Sequence, residues 1–263
     1  MHLPVICRGS RLNRYNLFSI ATLAALLVIF PLLSFAGVEG KAGRSNFAHV
    51  NKHAPSEIPM RLAHIISLDE SRPRAKQTLK VLRDMGFETT IVKPKYVGHT
   101  RKDQTLSNKF AMIDAVEQIA KGKQPWGYVF EDDIYQHEAS NMQLRDFIEA
   151  EKNSKNFMYL GVCTAGEAVS FMCGRCAHAM GFSRGGAEEI LSFARKFSPT
   201  LATGKSPVDE EYFDVIVEGW CASKGGFRVV GPLFPSSRGH VEHYGALIQD
   251  RGAFPSEIDA APL

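Results

Sequence analysis

Short apolar runs alternate with longer amphipathic segments in the part of the chain that follows residue 60. Apolar or β-branched runs of four to eight residues are typical of buried strands. The segments that we interpret as strands are Leu62–Leu68, Phe87–Val92, Gly127–Asp133, Phe157–Val162 and Ala177–Ser183. The intervening segments carry apolar residues at helical spacing, and they are Ser71–Met85, Leu106–Ala120, Leu144–Glu151 and Arg184–Phe197. The alternation predicts an α/β fold with a mostly parallel central sheet.

The first 40 residues have a different pattern. The stretch from Leu17 to Val38 contains no charged residue, and its length passes the roughly 20 residues that a helix needs to cross a bilayer. Arginines at positions 8, 11 and 14 precede it, and such positive charge favours the cytoplasmic side. We therefore expect the rest of the chain to be translocated.

Two interpretations of this stretch remain open. A type II signal anchor would leave residues 1–16 as a cytoplasmic tail and 17–38 as the span. A signal peptide would instead be cleaved after Ala36, because Ser34 and Ala36 are small residues at the positions that the peptidase requires. Either interpretation predicts an ER or Golgi lumenal domain at 61–250, with a stem at 39–60 and a tail at 251–263; cleavage would release it as a secreted protein.

Composition and charge narrow the possible functions only slightly. The 263 residues are 44% hydrophobic and 22% charged, with a net charge of +3, which is ordinary for a globular protein. Because the basic residues are scattered, we expect no nucleic-acid partner.

Four of the five cysteines follow the apolar stretch. Cys163, Cys173, Cys176 and Cys221 allow two disulfides in three possible pairings. The Cys-x-x-Cys pair followed by His178 also resembles half of a zinc site, but structural zinc normally requires four ligands.

Three consecutive carboxylates follow one predicted strand. Glu131, Asp132 and Asp133 come directly after an apolar run, at the edge of a parallel sheet where ligands bind. Alternation along a strand places Glu131 and Asp133 on one side and Asp132 on the other. Oxygen ligands suit Mg²⁺ or Mn²⁺, but a solvated polar turn explains the triplet alone equally well.

The order of several motifs adds a further indication. The segments that carry it are "HIISLDESRPRAKQTLKVLRDMGF", "LSNKFAMIDAVEQIA", "YVFEDDI", "CAHAMGFSRGGAEEIL" and "SPVDEEYFD". Together they make most of the region from Arg61 to Gly231 resemble the family 25 glycosyltransferases, which include lipopolysaccharide and collagen galactosyltransferases. The chain departs from that family before the second helix, and Met180 replaces a tyrosine. The resemblance implies a GT-A-like nucleotide-sugar-binding fold and metal-dependent, inverting sugar transfer.

The resemblance also implies roles for individual residues. Glu131 and Asp133 would hold Mn²⁺ (or Mg²⁺) and the donor diphosphate, while Asp132 would contact the ribose or sugar. A further set would bind the nucleotide sugar, and it comprises Asp69, Arg72, Arg74, Asn108 and His178. Ser107 and Asn108 are equally well explained as helix caps, the arginines as an exposed turn, and His178 as a structural histidine.

Inverting transfer also needs a base that removes the proton of the acceptor hydroxyl. The resemblance places Asp209 in this role, with Glu210 and Glu211 as neighbours that could take it. Asp209 is explained as well by a helix cap. His240 and His243 could complete a metal shell, although their spacing does not require it.

The sequence thus predicts a lumenal, membrane-anchored glycosyltransferase. The resemblance suggests UDP-galactose as the nucleotide-diphosphate donor, and the acceptor is a glycan or a protein hydroxyl. Two other hypotheses remain: a catalytically silent sugar- or protein-binding module of the same fold, and a metal-dependent phosphohydrolase.

Overall fold

Strands and helices alternate in the computed structural model, which describes residues 59–95, 98–163, 168–197, 212–237 and 242–249. The strands of these residues are β1 (Leu62–Ile66), β2 (Glu88–Val92), β3 (Trp126–Glu131), β4 (Ile134–Gln136), β5 (Phe157–Cys163), β6 (Phe171–Met172), β7 (Arg175–Ser183), β8 (Phe227–Val229), β9 (His243–Gly245) and β10 (Leu247–Gln249). The helices are α1 (Pro73–Asp84), α2 (Arg101–Lys121), α3 (Leu144–Lys152), α4 (Arg184–Phe197) and α5 (Phe213–Lys224).

Eight of these strands form the central sheet. Their order is β2-β1-β3-β7-β5-β8-β6, and β9 lies beside β5. The β1–β2, β1–β3 and β5–β8 pairs are parallel, whereas β7 runs antiparallel between β3 and β5. Strands β1, β2, β3, β5 and β8 consequently share one direction. The fold is mixed α/β with a mostly parallel sheet, and β4 and β10 form a separate antiparallel pair.

Alternation along the strands fills a core on each face of the sheet. In β1, Ala63 and Ile65 pack into the core that includes α1 and α3, and Ile66 packs into the opposite core with α2, α4 and α5. In β3, Tyr128 and Val129 are divided between the two cores in the same way. A parallel strand buried on both faces needs apolar side chains at nearly every position, which explains the continuous apolar runs in the sequence.

The start of α2 differs from the prediction. The helix begins at Arg101, and the cap is Thr100, whose side chain accepts from the backbone of Asp103 in a capping box. Ser107 and Asn108 therefore do not cap the helix. Ser107 Oγ instead donates to the Asp103 carbonyl at 2.8 Å, within the helix. The polar first turn, which lacks apolar periodicity, concealed this extension from sequence reasoning.

The start of α1 also differs slightly. The N-cap residue is Arg72 rather than Ser71, and Pro73 occupies the first helical position. Proline suits this position because it has no N–H to leave unsatisfied.

Two disulfides connect elements near one end of the sheet. Cys163 pairs with Cys176, and Cys173 pairs with Cys221. This is one of the three pairings that the sequence allowed. Since Cys173 and Cys176 belong to different bridges, the Cys-x-x-Cys segment is not a zinc-binding pair in this structure.

A buried ion pair lies at the amino end of β1. Arg61 donates to both carboxylate oxygens of Glu151, with Nε at 2.8 Å and Nη2 at 2.7 Å. Tyr128 Oη donates to the same carboxylate at 2.7 Å. Burial, together with the neighbouring Glu151 carboxylate, raises the pKa of Tyr128. The pair connects β1 to the last turn of α3 and satisfies charges that would be costly to bury alone.

Several predicted segments lie outside the described residues. They include the apolar stretch 17–38, the stem up to residue 58 and the tail 251–263. Within the described part of the chain, no helix combines the length and apolarity that crossing a membrane requires.

Candidate active site

The carboxyl ends of three neighbouring strands meet at one edge of the sheet. Ile66 at the end of β1 lies opposite Val92 of β2 and opposite Glu131 of β3. The chain segments that follow these strands therefore lie next to one another. Ligands of open α/β sheets bind at this edge.

The acidic triplet forms the end of β3 and a tight turn. Glu131 is the last residue of the strand, Asp132 and Asp133 form the turn, and β4 starts at Ile134. The Ile134 N–H donates to Thr78 Oγ1 of α1 at 2.9 Å, which fixes the exit of the turn. Asp132 and Asp133 are 2% and 6% exposed, so this is not the solvated turn that the sequence alone allowed.

Asp132 is held by two groups from the β1–α1 region. Arg74 Nε lies 2.6 Å from Asp132 Oδ1, and Ser67 Oγ donates to Asp132 Oδ2 at 2.5 Å. The predicted nucleotide-binding residues Arg74 and Asp132 thus contact each other. In this arrangement Asp132 ties the first turn of α1 to the acidic turn.

Glu131 and Asp133 instead contact Gln249 of β10. Gln249 Nε2 donates to Glu131 Oε2 and, at 3.3 Å, to Asp133 Oδ1. The alternation of side chains predicted this division between Asp132 and its two neighbours. Gln249 is 1% exposed and is aligned with Ile134 in the β4–β10 ladder, so its position is fixed by backbone pairing.

Sequence reasoning did not identify Gln249. It lies 118 residues from Glu131 along the chain, and no motif links the two. The short run before it, Leu247–Ile248, carried the only signal, because an apolar pair of this kind is compatible with a buried strand.

Asp69 and Arg72 lie in the turn between β1 and α1. Asp69 is exposed, and its Oδ1 accepts from the Ser71 N–H at 2.9 Å. This hydrogen bond lowers the pKa of Asp69. Arg72 is half-buried at the start of α1, so both residues border the same edge of the sheet as the acidic turn.

Asn108 lies on a different element. It is half-buried in the interior of α2, and the structure assigns it no cap. Its predicted role in donor binding remains a prediction.

His178 is fully buried in β7, close to the end of β5. Its Nε2 lies 3.3 Å from the Leu247 carbonyl, and its ring makes an edge contact with His243, with centroids 5.3 Å apart. Gly161 makes room for this pose, because a Cβ on Gly161 would lie 2.4 Å from His178 Nε2. His178 is adjacent to β10 rather than exposed at a donor pocket.

Asp209 and His240 lie outside the described residues. The described acid closest to Asp209 in sequence is Asp214, in the first turn of α5. Asp214 is half-buried, and burial raises its pKa, although hydrogen bonds from the backbone of Val215 and Cys176 oppose that shift. Sequence reasoning assigned Asp214 no role.

The predicted residues thus fall into two groups at the same edge. Arg74 and Asp132 pair beside the β1–α1 turn that carries Asp69 and Arg72, while Glu131 and Asp133 converge on Gln249. His178 occupies a separate, fully buried cluster with His243.

Comparison with known proteins adds limited information. No family model matches the chain, and no curated protein matches it. One similar solved structure is described as "a glycosyltransferase involved in the glycosylation of the major capsid of PBCV-1". The identity is 10% and the TM-score 0.36, over 52% of this chain and 68% of that one. The family 25 resemblance therefore remains a prediction from the motifs.

Proposed function

We propose that this protein is a glycosyltransferase that transfers a sugar from a nucleotide-diphosphate donor with the help of a divalent cation. The observation that carries the proposal is the division of the acidic triplet. Asp132 is engaged by Arg74 and Ser67, while Glu131 and Asp133 turn together toward Gln249 at the carboxyl edge of the sheet.

The residues present fit Mn²⁺ or Mg²⁺. Two carboxylates share the amide Nε2 of Gln249, so their oxygens converge on one point that attracts positive charge. Carboxylate oxygens are the ligands these ions prefer, usually one or two together with substrate phosphates. A cation held there would neutralise charge that develops on the departing nucleotide diphosphate.

The remaining roles belong to residues of the chain itself. Arg72 would pair with phosphate oxygens, for which the guanidinium group is well shaped, and Asp69 would contact the nucleotide. We assign Arg74 and Asp132 to positioning the β1–α1 turn, since their charges face each other. Asp209 would accept the proton of the acceptor hydroxyl.

The donor, acceptor and compartment follow from the sequence predictions. We propose UDP-galactose as the donor and a glycan or protein hydroxyl as the acceptor, in the ER or Golgi lumen behind the N-terminal segment. The two disulfides support this location, because disulfides persist in oxidising compartments and are rare in the cytosol.

A thermal-shift screen of the full chain in detergent tests the proposal. The probes are UDP, GDP and CMP sugars, each with and without Mn²⁺. A ligand at 100 times its dissociation constant stabilises the folded state by about 2.7 kcal/mol. We expect such stabilisation from one nucleotide class, and only when Mn²⁺ is present.

The same preparation separates the other hypotheses. Stabilisation without transfer to any acceptor would indicate a silent binding module. Hydrolysis of a phosphomonoester or diester without an acceptor would indicate a phosphohydrolase. Stabilisation by no nucleotide sugar would contradict the proposal.

A further inference from the structure

A second cluster of possible metal ligands lies at the end of β5, away from the acidic turn. Ligand atoms of Cys163, His178 and His243 all lie within 4.8 Å of one another, and the three residues are buried. Cys163 and His243 are cross-strand neighbours in the β5–β9 ladder. Cys176 adds a second sulfur, because it is bonded to Cys163.

We propose that this cluster binds a zinc ion when the Cys163–Cys176 disulfide is reduced. The site would consist of two thiolates and two imidazoles, from Cys163, Cys176, His178 and His243. This is the Cys₂His₂ ligand set of structural zinc sites. It differs from the zinc site that the Cys-x-x-Cys segment suggested, since Cys173 is not part of it.

The distances in the cluster match tetrahedral zinc. Cys163 Sγ lies 3.5 Å from His243 Nδ1. With Zn–S near 2.3 Å and Zn–N near 2.0 Å, two ligands of a tetrahedral ion stand about 3.5 Å apart. The two sulfurs must separate by roughly 1.7 Å from their bonded distance to reach the same geometry. A rotation of one cysteine side chain supplies a movement of that size.

The hydrogen bond of His178 favours metal binding. Its Nε2 faces the Leu247 carbonyl at 3.3 Å, so Nε2 carries the proton and Nδ1 carries the lone pair. Metal-bound histidines usually donate their second ring N–H to a carbonyl or carboxylate in this manner. The missing side chain of Gly161 allows the contact, because a Cβ there would lie 1.9 Å from the Leu247 oxygen.

The backbone of Cys176 is a further sign of a constrained site. Its φ is 55°, in the left-handed region that non-glycine residues rarely adopt. Such conformations cost about 1–3 kcal/mol and persist where the surroundings enforce them. Here the constraint keeps the Cys176 sulfur against Cys163, beside the two imidazoles.

The exchange between the two states balances. A dithiol gives two electrons and two protons to the Cys163–Cys176 bond, the S–S bond breaks, and the dithiol becomes a disulfide. Zn²⁺ then replaces the two thiol protons, because zinc ligands are deprotonated. The disulfide and the zinc ion are therefore alternative ways to connect β5, β7 and β9, one for oxidising and one for reducing conditions.

The test uses the full chain in detergent with Cys7, Cys173 and Cys221 replaced by serine, so that only the two proposed cysteines remain. The probes are Zn²⁺ and Co²⁺, added with and without a phosphine reductant. We expect one metal ion per reduced chain and none per oxidised chain. The Co²⁺ form should show thiolate charge-transfer bands and the d–d absorption of a tetrahedral site.

Histidine variants decide whether the imidazoles take part. His178→Gln or His243→Gln should lower zinc affinity at least tenfold, since even changes behind the ligands cost 10–100-fold. His137→Gln is the matched control, because His137 is 1% exposed and outside the cluster, and it should leave zinc affinity unchanged. Far-UV circular dichroism checks that each variant keeps its fold.

Three results would overturn the proposal. The first is no zinc binding by the reduced chain, whether or not it stays folded. The second is full zinc affinity after both histidine substitutions. The third is equal zinc binding by the oxidised chain, which would place the ion elsewhere.

Discussion

Arg74 Nε lies 2.6 Å from Asp132 Oδ1, and this contact joins the first turn of α1 to the turn that follows β3. Asp132 is 2% exposed, so its charge depends on Arg74 and on the Ser67 hydroxyl for compensation. The middle acid of the triplet is therefore structural in this conformation, although it adjoins the two acids that we assign to a cation.

The first prediction concerns this ion pair. Arg74→Gln should lower the free energy of unfolding by about 3 kcal/mol, because it leaves a buried carboxylate without its cation. Adding Asp132→Asn should restore part of the loss, because the uncompensated charge is then removed. Urea unfolding of the single and double variants measures both effects.

Lys80→Gln provides the matched control. Lys80 pairs with Asp84 at 2.7 Å, but both side chains are exposed, and such pairs contribute only about 0–1 kcal/mol. Equal losses for Arg74→Gln and Lys80→Gln would show that the Asp132 contact has no special weight.

The second prediction concerns the cation. Asp133→Asn should abolish Mn²⁺-dependent nucleotide-sugar binding, because it removes one of the two carboxylates that converge on Gln249. It should not destabilise the metal-free protein, since repulsion between two unit charges 4 Å apart is about 4 kcal/mol at an effective dielectric near 20. Titration calorimetry with and without Mn²⁺ measures the affinity. Retained Mn²⁺ dependence would mean that the cation lies elsewhere.

The third prediction concerns pH. His64 is 2% exposed in β1, and burial lowers its pKa to about 4. The unfolded chain, with a histidine pKa near 6.5, binds a proton below that pH while the folded chain does not. Stability should therefore fall as the pH drops from about 6.5 toward 4, by about 2 kcal/mol at pH 5 relative to pH 7.5.

A substitution isolates this contribution. In His64→Asn the decrease between pH 7.5 and pH 5 should shrink by that amount. His99→Asn, at an exposed position, should leave it unchanged. Urea midpoints at the two pH values provide the comparison, and parallel pH profiles for the wild type and His64→Asn would rule out the buried neutral histidine.

The fourth prediction concerns the disulfides. The Cys173–Cys221 bridge spans 48 residues and the Cys163–Cys176 bridge spans 13. A longer closed loop restricts the unfolded chain more, by about 4 against about 3 kcal/mol in the chain-entropy model. Replacing Cys173 and Cys221 with alanine should thus lower stability more than replacing Cys163 and Cys176. The reverse order would show that native contacts outweigh loop length.

The fifth prediction concerns the catalytic base. If Asp209 removes the acceptor proton, Asp209→Asn should lower transfer by about 10²–10⁴-fold with unchanged donor affinity. Asn caps a helix about as well as Asp, so a pure cap would tolerate the change. Asp214→Asn is the comparison, because Asp214 is the half-buried acid of the adjoining helix. A large loss there, with Asp209→Asn active, would transfer the role to Asp214.

The sequence predicted the long, locally determined elements well. Helix α4 has the expected bounds, and β1, β2 and β5 lie within one or two residues of the expected positions. In these segments an apolar period and a nearby stop signal define the element without help from the rest of the chain.

The short strands could not be predicted in this way. Strands β8, β9 and β10 have three residues each, which is too few to show a period. The antiparallel placement of β7 between β3 and β5 is also a tertiary choice, because strand direction leaves no mark on an apolar run. Gln249 enters the site through β10, so it was missed for the same reason.

The Arg61–Glu151 pair has a consequence for how the domain is attached to the preceding chain. Arg61 directly precedes β1 and is bonded to a residue 90 positions later, so the fold is anchored from its first strand onward. Five residues of β1, about 16 Å at 3.3 Å each, separate that point from the acidic turn. A pull transmitted along the chain from the N-terminal side therefore acts on the edge of the sheet opposite the proposed site. In a tethered enzyme this polarity leaves the catalytic edge free to meet large acceptors.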